Sequence, residues 1–294
     1  MYDICCIGHL TRDHIVTPDS DIYMPGGTSY YVSLGMVALR PEVHGLSYKL
    51  VTSLAEKDMA LADELTNRGI DTTVIPSRET MFFENIYGTN LNERSQRVTA
   101  TADAFRPDDL RDINAKYVIL GSLLAEDFSI EIFEHFHRKS ILAVDAQGFL
   151  RSVRNQHVYD TDWSWKKEAL KHTDILKINQ REGEILTGES DMETICARLA
   201  EWGVREILLT LGDKGSLIFR DGIVHRIAAS HTDAVIDTTG CGDTYMMGYI
   251  FQRTLGADIQ QAGQFASVVS AMKLANHGPF NGSYDEAIAR MPQR

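Results

Sequence analysis

The segment Val235-Ile-Asp-Thr-Thr-Gly-Cys-Gly-Asp243-Thr-Tyr245 runs directly into the apolar stretch Met246-Met-Gly-Tyr-Ile-Phe251. A glycine loop that opens a helix aims several backbone N–H groups at one point and adds the positive end of the helix dipole, which together make an anion site. Small residues are needed there because a phosphate must come close to the backbone. Asp243 sets the segment apart. A carboxylate is a poor neighbour for a resting phosphate, but it is the right group to take a proton from a hydroxyl that attacks that phosphate. The same carboxylate would also suit the first turn of any helix, where the dipole favours negative charge. The segment by itself predicts a loop-to-helix junction and leaves both roles open for Asp243.

Outward from this junction, short apolar runs bounded by Gly, Asp or Asn recur along the chain: Ile4–Ile7, Tyr117–Leu120, Ile141–Val144, Ile175–Ile178, Ile207–Leu211 and Ser216–Phe219. Runs of this kind, unbroken by alternation, predict strands buried on both faces of a parallel sheet. Helical stripes lie between them. From Asp58 to Arg68, Met59, Ala62 and Leu65 share one stripe, with Asp58 as the expected N-cap and Gly69 as the stop; Ser129–Phe136 and Met192–Trp202 read the same way, the latter stopped by Gly203. Strand and helix in alternation predict an α/β fold with helices on both faces of the sheet. Residues of about 14–24 and 80–101 break the rhythm, being polar with alternating Val, Ile, Tyr and Phe; Thr80–Tyr87 and Arg94–Thr101 look like strands joined by a turn at Gly88 to Asn92. The expectation is a single domain over residues 1–294, carrying a small antiparallel sheet as an attachment.

Composition narrows the function. With 44% apolar and 24% charged residues, the 294-residue chain is neither collagenous, coiled-coil nor largely disordered. A formal charge of −12 repels phosphate polymers and anionic membranes, so neither nucleic acid nor membrane is expected as a partner. Cys5, Cys6, Cys196 and Cys241 have no CxxC or metal spacing, and the stretch Met1 to Gly8 lacks the basic and apolar regions of a signal peptide, so a cytoplasmic location is expected. The absence of GxxxxGK[ST] excludes the P-loop class, and Gly8-His-Leu-Thr-Arg-Asp13 is not the GxGxxG of a dinucleotide-dependent oxidoreductase. Trp163 and Trp165, which flank no more than the Lys166-Lys167 pair, read as packing.

Asp237-Thr-Thr-Gly-Cys-Gly-Asp243-Thr resembles, almost letter for letter, the C-terminal signature of the ribokinase-like, PfkB-type carbohydrate kinases, with Cys241 where Ala is usual. The resemblance extends in order through Gly8 to Asp13, Gly26-Gly27, Asn179-Gln-Arg-Glu182 and Thr210-Leu-Gly-Asp-Lys-Gly215. It implies a three-layer α/β/α ribokinase-like fold with a mainly parallel central sheet and a small β-stranded lid. It also implies phosphoryl transfer from ATP, with Mg²⁺, to a hydroxyl of a small sugar, polyol or nucleoside. A monovalent cation and a homodimer paired through the lid belong to the same expectation.

Carried over by position, the resemblance makes Asp243 the catalytic base and gives the N–H groups of Gly240, Cys241 and Gly242 the charge that develops on the transferred phosphoryl. Asn179 and Glu182 match an N-x-x-E motif in which Glu182 orients Mg²⁺ and its waters, which suits a hard cation that keeps several waters. Read without the resemblance, the same two residues are caps at a strand-to-helix turn. Thr210, Gly212 and Gly215 match a T-x-G-x-x-G nucleotide turn, and Asn276 and Gly278 are expected on the nucleotide side as well. On the acceptor side, Asp13 matches an acidic residue that takes substrate hydroxyls, a role that discriminates strongly against analogues lacking them. Gly26 and Gly27 would let the backbone face the acceptor. Asp145-Ala-Gln147-Gly-Phe-Leu-Arg151 is similar to the D-x-Q-G-x-x-R of the branch that includes inositol kinases, which puts Gln147 beside the acceptor and favours a polyol.

Two departures concern the acceptor. Tyr31 stands where the family has Asn, and Leu54-Ala-Glu-Lys57 lacks the glycine expected before Asp58. A catalytically silent sugar- or nucleotide-binding regulator of the same fold is the alternative. Retention of Asp243 with Gly240, Gly242, Asn179 and Glu182 argues against it, because a binding module needs no base.

Overall fold

The computed structural model describes residues 1–18, 20–87, 94–232 and 234–292. Every apolar run read as a strand forms one, and all join a nine-stranded sheet. Its order is Ile223–Ile227, Ser216–Arg220, Glu206–Thr210, Ile175–Asn179, Ile141–Asp145, Ala115–Gly121, Tyr2–Gly8, Tyr48–Leu54 and Asp71–Pro76. From Glu206–Thr210 to Asp71–Pro76 each neighbouring pair is parallel. Ser216–Arg220 runs antiparallel to both of its neighbours.

The pleat sends successive side chains to opposite faces. Ile4 and Cys6 join one apolar cluster with Val32 and Met36 of the helix Thr28–Leu39, Tyr249 of Cys241–Thr254 and Phe265 of Ile259–Leu274. Cys5 and Ile7 join the other, with Phe133 of Ile130–His137 and Ile195 of Met192–Glu201. The sheet is therefore the middle of three layers. Tyr48–Leu54 escaped the sequence reading because Lys49, Thr52 and Ser53 interrupt its apolar pattern, yet every residue in it is buried. Lys49 pairs with Asp71 on the neighbouring strand at 2.8 Å, and Thr52 Oγ1 accepts the Leu10 N–H at 2.9 Å. Trp163 is buried and stacked on Phe149 at 4.1 Å, as packing requires.

Asp58 is not the helix cap expected of it. The helix is Ala60–Asn67, and Asp58 closes the preceding turn Glu56–Asp58, where Arg12 holds its carboxylate at 3.3 Å. The stops are as expected, with Gly69 at φ +92° and Gly203 at φ +117°.

The attached sheet is larger than the two segments 14–24 and 80–101 imply. It has six strands in the order Arg151–Arg154, His157–Asp160, Arg94–Ala100, Met81–Tyr87, Thr11–Thr17 and Ser20–Gly26. The first lid segment thus starts at Thr11, with only His9 and Leu10 between it and Gly8, the end of the first strand of the body, so Asp13 rides on the lid itself. The sheet is mixed, since Thr11–Thr17 and Met81–Tyr87 are parallel. The hairpin Arg151–Asp160 was not foreseen; Asn155 and Gln156 turn it with φ of 49° and 67°, the mirror-image geometry that short hairpins favour. The turn assigned to Gly88 to Asn92 lies outside the described residues. Among the described residues no helix is long and apolar enough to cross a membrane.

Candidate active site

In open parallel sheets ligands collect beyond the carboxyl ends of the strands. Asp145, Asn179 and Thr210 end three adjacent strands and line a cleft of about 490 Å³, which the lid residues Asp13, Phe83, Asn85 and Gln96 line from the other side. Gly240, Gly242 and Asp243 border the same cleft.

The glycine loop is shaped by what touches it. Gly240, at φ +75°, is the N-cap of Cys241–Thr254, and a Cβ there would run into the Tyr31 ring. Tyr31, the departure from the family's Asn, is buried and braces the loop. A Cβ on Gly242 would stand 2.7 Å from Lys177 Nζ, so an ammonium lies directly beneath the backbone that faces the cleft. Asp243 occupies the first helical turn. Burial pushes its carboxyl up to about 6, and the Asp145 carboxylate adds to the rise. Lys177, the Thr28 hydroxyl and Arg151 pull the other way. A carboxylate poised there accepts a proton near neutral pH while remaining mostly ionised.

Lys177 is one of the residues that sequence reasoning missed. It forms a buried ion pair with Asp145 at 2.8 Å, side chains 6% and 3% exposed. Burial disfavours its charge, but the carboxylates of Asp145, Glu182 and Asp243 outweigh that and hold its pKa above the ordinary value. The signal was a lysine in the middle of the apolar run Ile175–Ile178, a place where charge is tolerated only when paired.

Asn179 and Glu182 form a reciprocal capping box on the helix Gln180–Thr187. Glu182 N–H donates to Asn179 Oδ1 at 2.9 Å, while Asn179 N–H and Nδ2 donate to the two Glu182 oxygens at 2.8 Å each. Asn179 lines the cleft; Glu182 is buried behind it. Burial raises the Glu182 carboxyl, Lys177 opposes the rise and Asp145 adds to it. Among the described residues no group of three His, Cys, Asp or Glu is placed to hold a metal ion. One carboxylate and one amide would suit a hydrated Mg²⁺, which Glu182 and Asn179 would help to orient.

Of the remaining nucleotide-side residues, Thr210 lines the cleft. Gly212 begins the turn Gly212–Lys214, and Gly215, at φ +85°, has no room for a Cβ beside the Ile227 carbonyl. Both shape the hairpin without bordering the cleft. Asn276 and Gly278 lie behind the glycine loop, where the Gly278 N–H donates to Asp237 Oδ2 at 3.1 Å and Asn276 Nδ2 to the Met272 carbonyl at 3.0 Å. Asp237 also accepts the Thr239 N–H at 2.9 Å. Burial raises its carboxyl, but the Thr239 N–H and the Lys273 ammonium prevail and hold it below the usual value. The Cys241 thiol donates to the Asp237 carbonyl at 3.8 Å, and burial pushes it up to about 11, the opposite of an activated cysteine.

On the acceptor side Asp13 is buried and takes the Thr11 hydroxyl at 2.6 Å. Gly26 backs it, since a Cβ there would run into the Asp13 carboxylate, and Gly27, at φ +86°, lines the cleft as N-cap of Thr28–Leu39. Gln147 lines it too, its N–H donating to Asp145 Oδ1 at 3.0 Å. Asn85 and Gln96, joined at 2.9 Å across neighbouring lid strands, were not foreseen. Their only signal was a polar residue at an inward position of a lid strand.

Several known proteins are similar to this chain. The profile of the pfkB family carbohydrate kinases matches residues 85–286. The cytidine kinase of Thermococcus kodakarensis is 24% identical over 276 residues, covering 89% of this chain and 92% of that protein. A pyrophosphate-dependent kinase in the ribokinase family, solved with a pyrophosphate analog and myo-inositol, superposes with a TM-score of 0.83 at 26% identity, covering 97% of this chain and 99% of that one. Arabidopsis thaliana ribokinase, solved with ribose and ATP, has the same fold, with a TM-score of 0.79 at 19% identity over 100% of this chain and 99% of that one. With the family profile spanning more than half of the sequence and the fold shared from end to end, the chain belongs to the pfkB family of carbohydrate kinases.

Proposed function

We propose that the protein transfers the γ-phosphoryl group of ATP to a hydroxyl of a small polyol or sugar, with Asp243 as general base. The observation that carries this reading is the position of Asp243, in the first turn after the glycine loop, on the cleft, with its carboxyl raised towards neutrality and the Lys177 ammonium beside the same loop. Asp13 and the lid amides of Asn85 and Gln96 hold the acceptor. Asp243 takes the hydroxyl proton as the new O–P bond forms and the bond to the ADP oxygen breaks. The N–H groups of Gly240, Cys241 and Gly242, with Lys177, meet the charge on the transferred group. Glu182 and Asn179 would orient Mg²⁺, which when bound would supply further charge neutralisation. Support for an acceptor with several hydroxyls comes from the acceptor side of the cleft, where Asp13, Asn85, Gln96 and Gln147 offer hydroxyl-binding groups.

Likeness to a pyrophosphate-dependent kinase favours a second reading of the donor alone. The test is product formation, followed by ³¹P NMR, with myo-inositol, ribose, fructose and cytidine as acceptors and either ATP or pyrophosphate as donor. Phosphorylation of a polyol with ADP release is the expected result. Transfer from pyrophosphate only would replace the donor. Ligand binding without transfer from either donor would establish the silent regulator instead.

A further inference from the structure

Lys273 lies in the last turn of Ile259–Leu274 with its side chain wholly buried. Its Nζ donates to the Asp237 carbonyl oxygen at 2.7 Å and stands 3.1 Å from Asp237 Oδ2. An ammonium removed from water to this extent has to be compensated, and one carbonyl with one carboxylate does so. The charge sits where three segments meet. Asp237 leads into the glycine loop and accepts the Thr239 N–H from within it, and it accepts the Gly278 N–H from the turn after the helix. The Ile236 N–H donates to the Leu274 carbonyl at 2.9 Å, and the Ser270 hydroxyl, about one turn before Lys273, donates to the Cys241 carbonyl at 3.3 Å.

Carbonyl and carboxylate oxygens gathered round one positive charge are the donors that an alkali ion would take. Here the chain supplies the charge itself, and the space beside Asp237 is filled. We propose that Lys273 is an internal monovalent cation. It is a positioning residue, pinning the approach to the loop so that the N–H groups of Gly240, Cys241 and Gly242 keep their aim, and it makes the protein independent of K⁺. The alkali ion that the family resemblance leads one to expect has no place at this position.

The experiment compares KCl, NH₄Cl and choline chloride at equal ionic strength. Its rate readout rests on the phosphoryl-transfer reading, whereas its melting readout does not. Wild-type protein is expected to show the same Tm and the same kcat in all three salts. Lys273→Ala, which removes the ammonium and opens its space, is expected to lose on the order of 10 °C in Tm in choline, because it leaves the partly buried Asp237 carboxylate without its cation. Its kcat falls about tenfold or more as the donors of the loop lose their aim. Both losses are recovered in part, and saturably, by K⁺ or NH₄⁺ but not by choline. A wild-type Tm or kcat that climbs with K⁺ overturns the proposal, and so does a Lys273→Ala variant that K⁺ leaves unchanged. Should the variant not fold, the wild-type K⁺ series decides alone. If no acceptor is phosphorylated in any salt, the functional reading fails while the melting comparison still judges Lys273.

Discussion

The glycine-loop side of the cleft and its lid side are built on different terms. Around the loop, charge is buried and paired, as with Lys177 on Asp145, Lys273 on Asp237, and Glu182 in its capping box. On the lid the ion pairs reach solvent, such as His14 with Asp21 and Arg97 with Glu84. Among the described residues its buried apolar cluster is Met81, Phe83, Val98, Leu123 and Leu124, with Ala102, Val153 and Val158 partly buried against it, while Ile22, Tyr23, Ile86 and Tyr159 are exposed. Fixed charges act strongly in a water-poor interior and cost no rearrangement when the reaction begins. A sheet resting on few buried contacts opens cheaply, which lets an acceptor in and water be shut out afterwards. On the function proposed above, the difference separates a stiff half for the chemistry from a yielding half for the acceptor, and each half should fail in its own way.

The largest failure should come from Asp243→Asn. A positioned base contributes about 10²–10⁴-fold in rate, against about 0.3–1 kcal/mol of stability for a carboxylate at a helix end. Turnover is expected to fall by that factor with the Tm kept and donor affinity equal or better. Turnover within a few-fold of wild type would leave Asp243 as a helix-end residue only. Lys177→Met is expected to cost about 10²–10³-fold in kcat, the usual loss of one donor to transition-state charge, and to lower the Tm because Asp145 stays buried without its partner. Adding Asp145→Leu should return stability but not turnover. Recovery of both would make the pair structural.

These two residues also mark the limit of what the sequence discloses. Strands buried on both faces announce themselves through unbroken Ile, Val and Leu, and the glycine loop through residues that tolerate no side chain beside Tyr31 and Lys177. Tyr48–Leu54 did not, because its buried Lys49 and Thr52 look like surface until their partners Asp71 and Leu10 are known. The hairpin Arg151–Asp160 turns on Asn155-Gln156, without the glycine that usually flags such a loop. Asp145 was legible as part of a motif, but the pairing with Lys177 comes from adjacency of two parallel strands. Glu182 and Asn179 were legible as a cap at a strand-to-helix turn, and the structure shows that cap as a reciprocal capping box.

The pH dependence sharpens the same contrast. With the Asp243 carboxyl at about 6, the base is protonated and idle below that value, so kcat should fall about tenfold per unit as pH drops below 6. The stability that this group contributes is present below its ordinary 3.8 and lost as pH rises through about 6, since burial opposes its charged form. Asp243→Asn should therefore melt no lower than wild type at pH 8, and its residual turnover should lack the acid limb. An acid limb that survives the substitution belongs to another group.

The smallest expected effect lies on the lid, and it should touch binding of the acceptor alone. Asn85 sits in the strand Met81–Tyr87, opposite Ile15 on one side and Gln96 on the other, buried and facing the cleft. Its Oδ1 is engaged by Gln96, which leaves its Nδ2 protons for the acceptor. Asn85→Leu keeps the branching of the side chain, removes those donors and strands the Gln96 amide, a loss of about 1–2 kcal/mol that corresponds to roughly 5–30-fold in kcat/KM for the acceptor. Because the lid holds none of the buried charge around the glycine loop, the donor KM and the acid limb near pH 6 should stay as they are. Screening the variant against the same four acceptors would show whether preference shifts towards those with fewer hydroxyls. A donor KM that rises in step with the acceptor KM would mean that the two halves of the cleft are coupled more tightly than their construction implies, and an unchanged acceptor KM would remove the lid amides from recognition.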